Sequence, residues 1–519
     1  MVASQTETDL ASGRGQAQSI TPDAAAGAGN RSGRTSWALP LALVLAAVAA
    51  FRLAALALNG TDLFVDEAQY WTWAQAPAAG YYSKPPLIAW IIAASTAVCG
   101  DGEFCVRLPA TLMHLATAVV IYLAARRLYS EEIGFWSALV YATLPAVSLS
   151  SGIISTDVPL LLAWALALLA FAHHLSAPSY ASALLLGAAI GIGLNAKYAM
   201  AYFVPCIAIY FLIAPEHRRL LRTPHLWLAL ALAVALILPN VAWNSANSFV
   251  TVVHTGENAN WKGLVLHPGK AAEFLLSQFG VFGPILFAAL ITFLWQTRGR
   301  LGALAAPDRL LLALSVPIIL AVTVQGLLSR AHANWAAPAY VAATILVTAV
   351  MIRDGAWVRL RTSLMLHVVV ALALAAATWQ AGRFTLAFVG DPFARTLGSR
   401  EIAALVGRLA NETQLDGKPV TAILTTDREI AAALGYYGRA LPLKVLAWRG
   451  ERPRNHFELV HPFTEQTLTP VLLVSQSAPD PAITGQFSRI VVLNTASVPA
   501  GAFATRTLHL AVLDGLLKR

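Results

Sequence analysis

The amino-acid sequence predicts an all-α polytopic membrane protein of about eleven transmembrane helices, with a small α/β domain at its C-terminal end. Three observations predict this class. Of the 519 residues, 57% are hydrophobic and only 12% are charged, whereas soluble domains carry about 25% charge. Apolar runs near the ~20 residues that a bilayer requires recur along most of the chain. After residue 382 the apolar runs become shorter and the charge rises.

The N-terminal residues predict a tail followed by a membrane anchor. Residues 1–36 are rich in Ala, Ser, Gly, Thr and Gln without apolar periodicity, which is typical of a disordered segment. The first apolar run, 37–58, lacks a convincing cleavage site and is longer than the roughly 7–15 residues of a signal-peptide core. We therefore expect a retained anchor, and we assign residues 37–382 to a transmembrane domain.

Ten further runs predict the remaining spans. They are 107–125, 133–153, 157–174, 180–196, 199–214, 224–243, 272–296, 310–328, 333–351 and 363–381.

Arginines collect in alternate connections between these runs. The groups are Arg126 and Arg127; Arg218, Arg219 and Arg222; Arg298, Arg300 and Arg309; and Arg353, Arg359 and Arg361. Because positive residues favour the cytoplasmic side, this pattern predicts an inside N-terminus and an outside C-terminal tail. It also accounts for much of the net charge of +9, which argues against nucleic-acid binding.

The first outer loop, 59–106, is only partly apolar. The stretch Asp66 to Trp73 predicts a short interfacial helix, and the stretch Pro85 to Val98 predicts a second helix lying on or dipping into the outer leaflet. Cys99 and Cys105 are close enough in sequence for a bridge, which an oxidising compartment permits. Two free thiols remain the alternative.

The tail, 383–519, predicts a soluble α/β domain. It has short β-rich runs at Val420–Leu424, Val471–Val474 and Ile490–Leu493, and a helical stretch near Asp427–Leu434. Alternation of such runs with helices and loops is typical of a small α/β fold.

Polar residues at the membrane edge are costly and are therefore functional candidates. The predicted topology gathers them at the outer face: Asp66, Glu67, Lys84, Asp157, Lys197, Tyr198, His254, His332, Asn334 and, beside them, Tyr70 and Trp335. Acids, cations and aromatic rings together indicate a cleft for an anionic, hydroxyl-rich ligand, since cationic side chains neutralise phosphate.

Each candidate also has a simpler explanation. Asp157 can cap a helix N-terminus, Glu67 can be a solvated loop acid, and Lys84 can extend to headgroup phosphates. Arg52, in the first span, can reach the interface or pair with a loop acid. His254 and His332 can be ordinary histidines at the membrane interface. For Tyr70, Trp71 and Trp73, a belt of aromatic rings at the membrane interface is the favoured interpretation.

Two blocks of the first outer loop resemble a known signature. Residues 64–73, Phe-Val-Asp-Glu-Ala-Gln-Tyr-Trp-Thr-Trp, and residues 80–87, Gly-Tyr-Tyr-Ser-Lys-Pro-Pro-Leu, are similar to the first loop of bacterial family 39 glycosyltransferases. These enzymes are relatives of the lipid A aminoarabinose transferase and the protein O-mannosyltransferases. Further similar blocks are 106–109, 155–160, 195–198, 239–255 and 331–338, so the resemblance covers about residues 40–440.

The resemblance implies a GT-C fold and a polyprenyl-phosphate monosaccharide donor. It implies chemistry at the periplasmic face of a bacterial inner membrane, with the tail on that face. The acceptor would be lipid A, lipopolysaccharide core, another envelope glycan or a protein. Asp66 matches the family's catalytic acid, Lys84 matches the lysine that lines the donor-phosphate site, and Asp157 matches a second acid near the cleft. The aminoarabinose transferases hold a zinc ion partly through a Glu where this chain has Ser83, which argues against a comparable metal site.

These matches give a hypothesis for the reaction. Asp66 takes the proton of the acceptor hydroxyl, and Lys84, with Lys197 or Arg330, stabilises the departing phosphate. Asp157 and His332 orient hydroxyl groups. Glu67 is a further catalytic candidate beside Asp66 and Asp157. Tyr81, Tyr82, Tyr198 and Asn334 join the candidates for binding the donor phosphate and the lipid-linked sugar. The other cleft candidates are Tyr70, Arg107 and His254.

Neither ATP nor a catalytic metal is expected. The sequence has no Walker A pattern, no dinucleotide fingerprint and no zinc-protease helix, and a transferase without a nucleotide cradle takes its donor from lipid. A transporter or lipid flippase remains the rival class. It should show related halves and a polar site near the bilayer midplane, and the sequence shows neither.

Overall fold

The computed structural model describes residues 36–260, 263, 265–386 and 390–517. The predicted disordered tail lies, apart from Ser36, outside the described residues. A helical body is followed by a region of mixed sheet and helix.

The helices of the body are α1 (Ala38–Ala57), α2 (Val65–Ala74), α3 (Leu87–Cys99), α4 (Glu103–Leu128), α5 (Glu131–Thr143), α6 (Pro145–Ser150), α7 (Asp157–Ser176), α8 (Tyr180–Ala196), α9 (Phe203–Ile213), α10 (Pro224–Ala246), α11 (Val250–Ala259), α12 (Pro268–Val281), α13 (Pro284–Thr297), α14 (Ala306–Ala313), α15 (Val316–Leu328), α16 (Ala339–Arg353) and α17 (Trp357–Trp379). Short 3-10 turns cover Tyr198–Tyr202, Pro215–Arg222, Leu301–Ala303, Ala333–Ala336 and Ala394–Thr396.

The body is that of a polytopic membrane protein. Within the described residues, six helical stretches are long and apolar enough to cross a membrane, and the bent pair α12–α13 makes a seventh if it counts as one span. The six are α1, α4, α7, α10, the stretch Ala306–Leu328 and α17. The predicted runs 180–196, 199–214 and 333–351 are present as apolar helices of 10–17 residues.

Several predicted spans are not single α-helices, and two of them break next to a proline that explains the break. The run 272–296 is bent by 118° between α12 and α13, because Gly283 has φ +90° and the next residue is proline. Pro284 has no N–H and disfavours a helical conformation in the residue before it. A side chain at position 283 would also collide with the His367 ring. The run 133–153 ends its first helix before Pro145 for the same reason and continues as α6.

Alternate connections meet at one end of the body, here called the arginine end. Arg353 donates to one oxygen of Asp308 over 2.9 Å, and the Tyr129 hydroxyl donates to the other over 2.6 Å. Arg309, beside Asp308, is hydrogen-bonded to Glu216. These contacts join the connections before α5, α10 and α14 and the C-terminal end of α16.

The C-terminal region contains a six-stranded mixed sheet. Its strands follow the order β4-β3-β5-β8-β6, with β7 paired to β8. Strand β3 is parallel to β4 and β5, whereas β8 is antiparallel to β5, β6 and β7. The elements are α18 (Ser399–Glu412), β1 (Gln414–Leu415), β2 (Lys418–Pro419), β3 (Ala422–Thr425), α19 (Arg428–Tyr437), β4 (Lys444–Ala447), α20 (His456–Val460), β5 (Val471–Ser475), α21 (Pro481–Thr484), β6 (Phe487–Val492), β7 (Ala496–Pro499) and β8 (Thr505–Leu516). The predicted β-rich runs and the predicted helix are therefore confirmed.

This region packs on the first loop of the body. The rings of Trp71 in α2 and Tyr436 in α19 meet edge to face at 5.0 Å. The Asp62 carboxylate accepts from the Ser399 N–H over 2.9 Å, and the Leu63 N–H donates to the Tyr437 hydroxyl over 2.6 Å. The first loop and the C-terminal tail therefore lie at the same end of the helical body, here called the cleft end.

Candidate active site

A buried ion pair fixes the start of α2. Glu67 is 1% exposed and receives Arg107 Nε over 2.9 Å and Arg107 Nη2 over 2.7 Å. Its two oxygens also accept the N–H groups of Phe64 and Ile154, each over 2.9 Å. The alternative that Glu67 is a solvated loop acid is therefore wrong. With its carboxylate held by four donors, Glu67 anchors the helix turn that presents Asp66.

Asp66, next to this anchor, is about half exposed and faces a cavity. Its carboxylate pairs with Arg428 at the start of α19. Arg428 Nε also donates to Gln69 Oε1 over 2.8 Å. The carboxylate predicted to be the base is thus in contact with a cation that the C-terminal region supplies.

Asp157 joins three connections at the cleft end. It is the first residue of α7, and its oxygens accept Lys197 Nζ over 2.7 Å and Asn334 Nδ2 over 2.8 Å. The residue at the cap position, Thr156, makes no side-chain capping bond. The carboxylate of Asp157 is therefore occupied by a lysine and an amide from other connections, which does not fit the alternative of a simple helix cap.

Lys84 and Lys197 line a cavity of about 490 Å³ together with Tyr198, Gln325 and Trp335. Burial lowers the pKa of Lys84, and the neighbouring charge of Lys197 lowers it further, while Asp66 and Asp157 act in the opposite direction. In the part of the chain that the structure describes, Lys84 Nζ has no hydrogen-bond or ion-pair partner. A half-buried ammonium group beside a second lysine is an arrangement that favours a phosphate.

Comparison with known proteins shows the family. The family model described as dolichyl-phosphate-mannose-protein mannosyltransferase, PMT_2, matches residues 83–243. The lipid A galacturonosyltransferase RgtD of Rhizobium johnstonii is 37% identical over 410 residues, which are 78% of this chain and 84% of that protein. The chain belongs to the PMT_2 family of GT-C glycosyltransferases. It is a polyprenyl-phosphate-sugar-dependent transferase, and the rival class of a transporter or flippase is excluded.

A second relative and a solved structure are also similar to this PMT_2 transferase. The lipopolysaccharide core galacturonosyltransferase RgtA of Rhizobium johnstonii is 30% identical over 236 residues, 44% of this chain and 47% of that protein. The crystal structure of ArnT from Cupriavidus metallidurans bound to undecaprenyl phosphate matches with a TM-score of 0.62 at 16% identity, over 94% of this chain and all of that one. The second likeness shows that the fold is shared.

The first-loop aromatic rings of the transferase are core residues. Trp73 is fully buried, Tyr70 is 3% exposed and Trp71 is 5% exposed, and all three pack between the first loop and the tail. The interpretation of these rings as a membrane-interface belt is therefore wrong. Tyr70 also lines the cavity that Asp66 faces, and burial, followed by the charge of Asp66, raises its pKa well above the usual value.

Tyr81, Tyr82 and Tyr198 shape the loop that carries Lys84. The Tyr81 ring stacks on Trp73 at 4.6 Å, and its hydroxyl donates to the Trp73 carbonyl over 3.1 Å. The Tyr198 hydroxyl donates to Asn240 over 2.7 Å, and Asn240 donates to the Ala79 carbonyl over 2.8 Å.

Gly80 lies in this close approach between the loop and α10. A Cβ there would lie 2.5 Å from the Trp243 ring and 2.8 Å from Asn240. The first glycine of the 80–87 block therefore lets the loop pack directly on α10.

The predicted histidines lie around the lysine cavity. The ring of His254 packs on Tyr82 at 5.3 Å, and burial, then the charge of Lys84, lowers its pKa. His332 is exposed beside Trp335, with ring centroids 5.1 Å apart; burial of part of the ring, then Arg330, lowers its pKa. Arg330 itself is exposed, and its side chain makes no hydrogen bond or ion pair with the residues that the structure describes.

Two remaining expectations concern Arg52 and the first-loop cysteines. Arg52 is 6% exposed and donates to the Ala142 carbonyl, so it neither extends to the interface nor pairs with a loop acid. Cys99 and Cys105 form a disulfide with their Cα atoms 5.8 Å apart. The bridge joins the end of α3 to the start of α4.

The side chains near Lys84 do not fit a zinc site. Ser83 offers no carboxylate, and no group of three or more His, Cys, Asp or Glu side chains in the described ranges could hold a metal ion. No step of the reaction is therefore assigned to a metal.

Arg428 was not among the site residues predicted from the sequence. Arg428 lies 362 positions after Asp66 in a region whose pattern indicated only a small α/β domain. Its one local signal is its place at the start of a helix predicted near Asp427–Leu434, and nothing in that pattern points to the first loop.

Proposed function

We propose that this transferase moves galacturonic acid from a polyprenyl-phosphate carrier to lipid A. The sugar and the acceptor come from RgtD, which it resembles over most of both chains. The observation that supports this reaction is that an acid and two lysines line different cavities at the cleft end. Asp66 faces one cavity, and Lys84 and Lys197 line another. Burial, then Lys197, lowers the pKa of Lys84, and Asp66 lies near enough to oppose that lowering.

The proposed reaction is a single displacement with inversion. The acceptor hydroxyl oxygen forms a bond to the anomeric carbon while the bond from that carbon to the phosphate oxygen breaks. Asp66 receives the hydroxyl proton as general base. The polyprenyl phosphate leaves with its charge stabilised by Lys84 and Lys197. Asp157 acts by holding Lys197, and it shares its second oxygen with Asn334.

Arg428 has a defined place in this scheme. The guanidinium of Arg428 occupies an oxygen of the Asp66 carboxylate that the hydroxyl proton would have to reach. In the proposed cycle, bound substrate draws the guanidinium of Arg428 away from Asp66, and Asp66 is then free to accept the proton. The half-exposed positions of both side chains leave room for this exchange.

We also propose eleven membrane crossings. Contacts at the arginine end join the start of α1 and the connections after α4, α7, α9, α13 and α16. Contacts at the cleft end join the first loop, the intervening connections and the tail. The two sets alternate along the chain. With the arginine end in the cytoplasm, residues 37–382 form the membrane catalytic domain, and the site and tail 383–519 face the periplasm of a bacterial inner membrane.

The test of the base is Asp66→Asn, which keeps the shape and removes the basic group. In membranes supplied with radiolabelled polyprenyl-phosphate galacturonic acid and lipid A, we expect transfer to fall by about 100-fold or more. Asp354→Asn, an exposed acid at the arginine end, is the matched control and should keep the wild-type rate. A wild-type rate in Asp66→Asn would remove Asp66 from the role of base.

The sugar is tested separately by mass spectrometry of lipid A from a strain that lacks the enzyme. We expect the loss of one hexuronic acid residue. Loss of a different sugar would overturn galacturonic acid as the substrate and would leave the role of Asp66 in place.

A further inference from the structure

Arg428 lies near both cavities of the cleft end. It is the first residue of α19 in the tail, and its side chain, 40% exposed, contacts Asp66, which is 45% exposed. Burial lowers the pKa values of Lys84 and His254, and the charge of Arg428 lowers both further. One guanidinium group is therefore within electrostatic reach of the proposed base and of the lysine proposed to bind the donor phosphate.

One edge of this guanidinium group is fixed, and the rest can change partner. Arg428 Nε donates to Gln69 Oε1 over 2.8 Å, and Gln69 in α2 is buried. Nη2 donates to Asp66, and Nη1 has no hydrogen-bond partner in the described part of the chain. A buried amide thus orients the arginine while two of its nitrogens stay accessible to a second carboxylate.

The charges around the proposed donor site leave one cation free. Lys197 pairs with Asp157, and Arg428 pairs with Asp66, whereas Lys84 has no ion-pair partner among the residues described. The phosphodiester of a polyprenyl-phosphate sugar brings one negative charge, which Lys84 can neutralise. A hexuronic acid brings a second negative charge on its carboxylate. This second charge has to be met by a cation that is paired in the empty site.

The chemistry of the sugar puts its carboxylate close to Arg428. In a hexuronic acid the carboxylate is attached to C5, which is joined to the anomeric carbon through the ring oxygen alone. The base and the leaving phosphate both act at the anomeric carbon, so the carboxylate falls within one sugar ring of Asp66 and Lys84. Arginine binds a carboxylate through two parallel N–H···O bonds.

We propose that Arg428 binds the carboxylate of the galacturonic acid donor and makes the enzyme selective for an acidic sugar. This inference rests on the proposed function and names the group that displaces Asp66 from the guanidinium. In the empty site, Asp66 occupies the place of the sugar carboxylate. When the sugar carboxylate takes that place, Arg428 is neutralised again and the freed oxygen of Asp66 can receive the proton of the acceptor hydroxyl. Recognition of the sugar is thereby coupled to release of the base.

The experiment measures donor binding without acceptor, so that it does not depend on turnover. Full-length enzyme in nanodiscs is titrated with polyprenyl-phosphate galacturonic acid and with polyprenyl-phosphate galactose, which has a hydroxymethyl group in place of the carboxylate. The variants are Arg428→Gln, which removes the charge, and Arg428→Lys, which keeps the charge without the two parallel donors. Arg408→Gln, at an exposed position of α18, is the matched control.

The quantity compared is the affinity for the acidic donor divided by the affinity for the neutral donor. In Arg428→Gln we expect this ratio to fall by about tenfold or more, because the sugar carboxylate then faces Asp66 without a cation between them. Binding of the neutral donor should stay as in wild type. Arg428→Lys should keep part of the ratio, and Arg408→Gln should keep all of it. A merely structural role of Arg428 would weaken both donors alike.

The displacement of Asp66 has its own test. Asp66→Asn removes the carboxylate that competes for Arg428, so the ratio should shift towards the acidic donor. In a variant that combines Asp66→Asn with Arg428→Gln, this shift should disappear, because the competition no longer has an object. An unchanged ratio in Asp66→Asn would overturn the exchange of partners.

Two further results would contradict the proposal, and they differ from a failure of the proposed function. If wild type prefers the acidic donor and Arg428→Gln keeps that preference, galacturonic acid stands as the sugar and Arg428 does not bind it. If Arg428→Gln weakens both donors equally, Arg428 only supports the first loop. If wild type prefers the neutral donor, the donor sugar itself is wrong.

Discussion

At the scale of single residues, the cleft end contains the ammonium group of Lys84, which has no ion-pair partner among the described residues. Lys197 is paired with Asp157 at 2.7 Å, whereas Lys84 has no such partner among the described residues and is partly buried beside it. Burial, then the charge of Lys197, lowers the pKa of Lys84, and a negatively charged ligand beside the ammonium group would act in the opposite direction.

This gives a pH dependence for donor binding. Only protonated Lys84 attracts phosphate, and burial, then the charge of Lys197, lowers its pKa. The protonated form is therefore lost at a lower pH than for an ordinary lysine, whose pKa is about 10.4. We expect kcat/KM for the donor, measured from about pH 7 to about pH 10, to fall as the pH rises. The midpoint of that fall should lie below the pKa of an ordinary lysine.

Lys84→Arg provides the comparison, because arginine stays protonated over this range. The variant should move the alkaline fall to higher pH even if its rate is lower. Lys444→Arg, at an exposed position in the tail sheet, should leave the profile unchanged. Identical profiles for wild type and Lys84→Arg would mean that Lys84 does not titrate during donor binding.

At the scale of elements, α2 depends on a buried charge pair for its position. Arg107 in α4 holds Glu67 and also donates to the carbonyls of Thr61 and Asp62 over 3.2 and 2.8 Å. One side chain thus orders the entry to α2 and the first turn together. Removal of the guanidinium leaves Glu67 charged and buried.

We therefore expect Arg107→Leu to destabilise the protein by about 3–5 kcal/mol, measured as the thermal unfolding of purified enzyme in detergent. Arg126→Leu is the matched control. It breaks an exposed pair with Glu131 at 3.4 Å, which should matter by less than about 1 kcal/mol. The double variant Glu67→Leu with Arg107→Leu should recover part of the loss, because no lone charge remains. Equal unfolding temperatures for Arg107→Leu and Arg126→Leu would contradict the role of the pair.

Many of the helices and helix breaks were predictable from the local sequence. The short helix predicted for Asp66 to Trp73 is α2. The second helix, predicted to start at Pro85-Pro86, is α3, which begins at Leu87. A proline in the sequence also marks the bend at Gly283-Pro284 and the break before Pro145. Each proline lies inside a long apolar run, and the length of that run predicted one continuous span. The burial of Trp71 and Trp73 was not predictable, because a ring that faces lipid and a ring that faces another part of the chain give the same local pattern.

At the scale of the whole molecule, the contact between the first loop and the tail constrains the topology. Segments in contact outside the bilayer lie on the same side of it, so the chain crosses an even number of times between the end of α1 and the start of the tail. The total with α1 is then odd. Eleven crossings satisfy this rule, as do seven.

Cysteine labelling tests which end faces outward. Glu451→Cys places a thiol on the exposed tail, and Asp354→Cys places one at the arginine end. The native thiols do not interfere, since Cys206 is buried and Cys99 is bonded to Cys105. A membrane-impermeant maleimide should label position 451 in intact spheroplasts and position 354 only after lysis. Labelling in the reverse order would invert the proposed orientation.

The assembly of the site was the part that sequence could not reveal. Arginine bias predicted the two ends of the body, and the first-loop blocks predicted Asp66 and Lys84. The contact of Asp66 with Arg428 joins residues 362 positions apart, and periodicity and spacing describe only near neighbours. The role of the tail therefore became visible only when both ends of the chain were seen together.

That long separation has a consequence for biosynthesis. While the ribosome is still adding the 362 residues from Glu67 to Arg428, the nascent chain holds an incomplete cleft. A product that terminates early, even after its last apolar helix has inserted, retains Asp66 and both lysines but lacks the guanidinium that neutralises this carboxylate. The cleft end therefore has its full set of charges only after translation has passed residue 428.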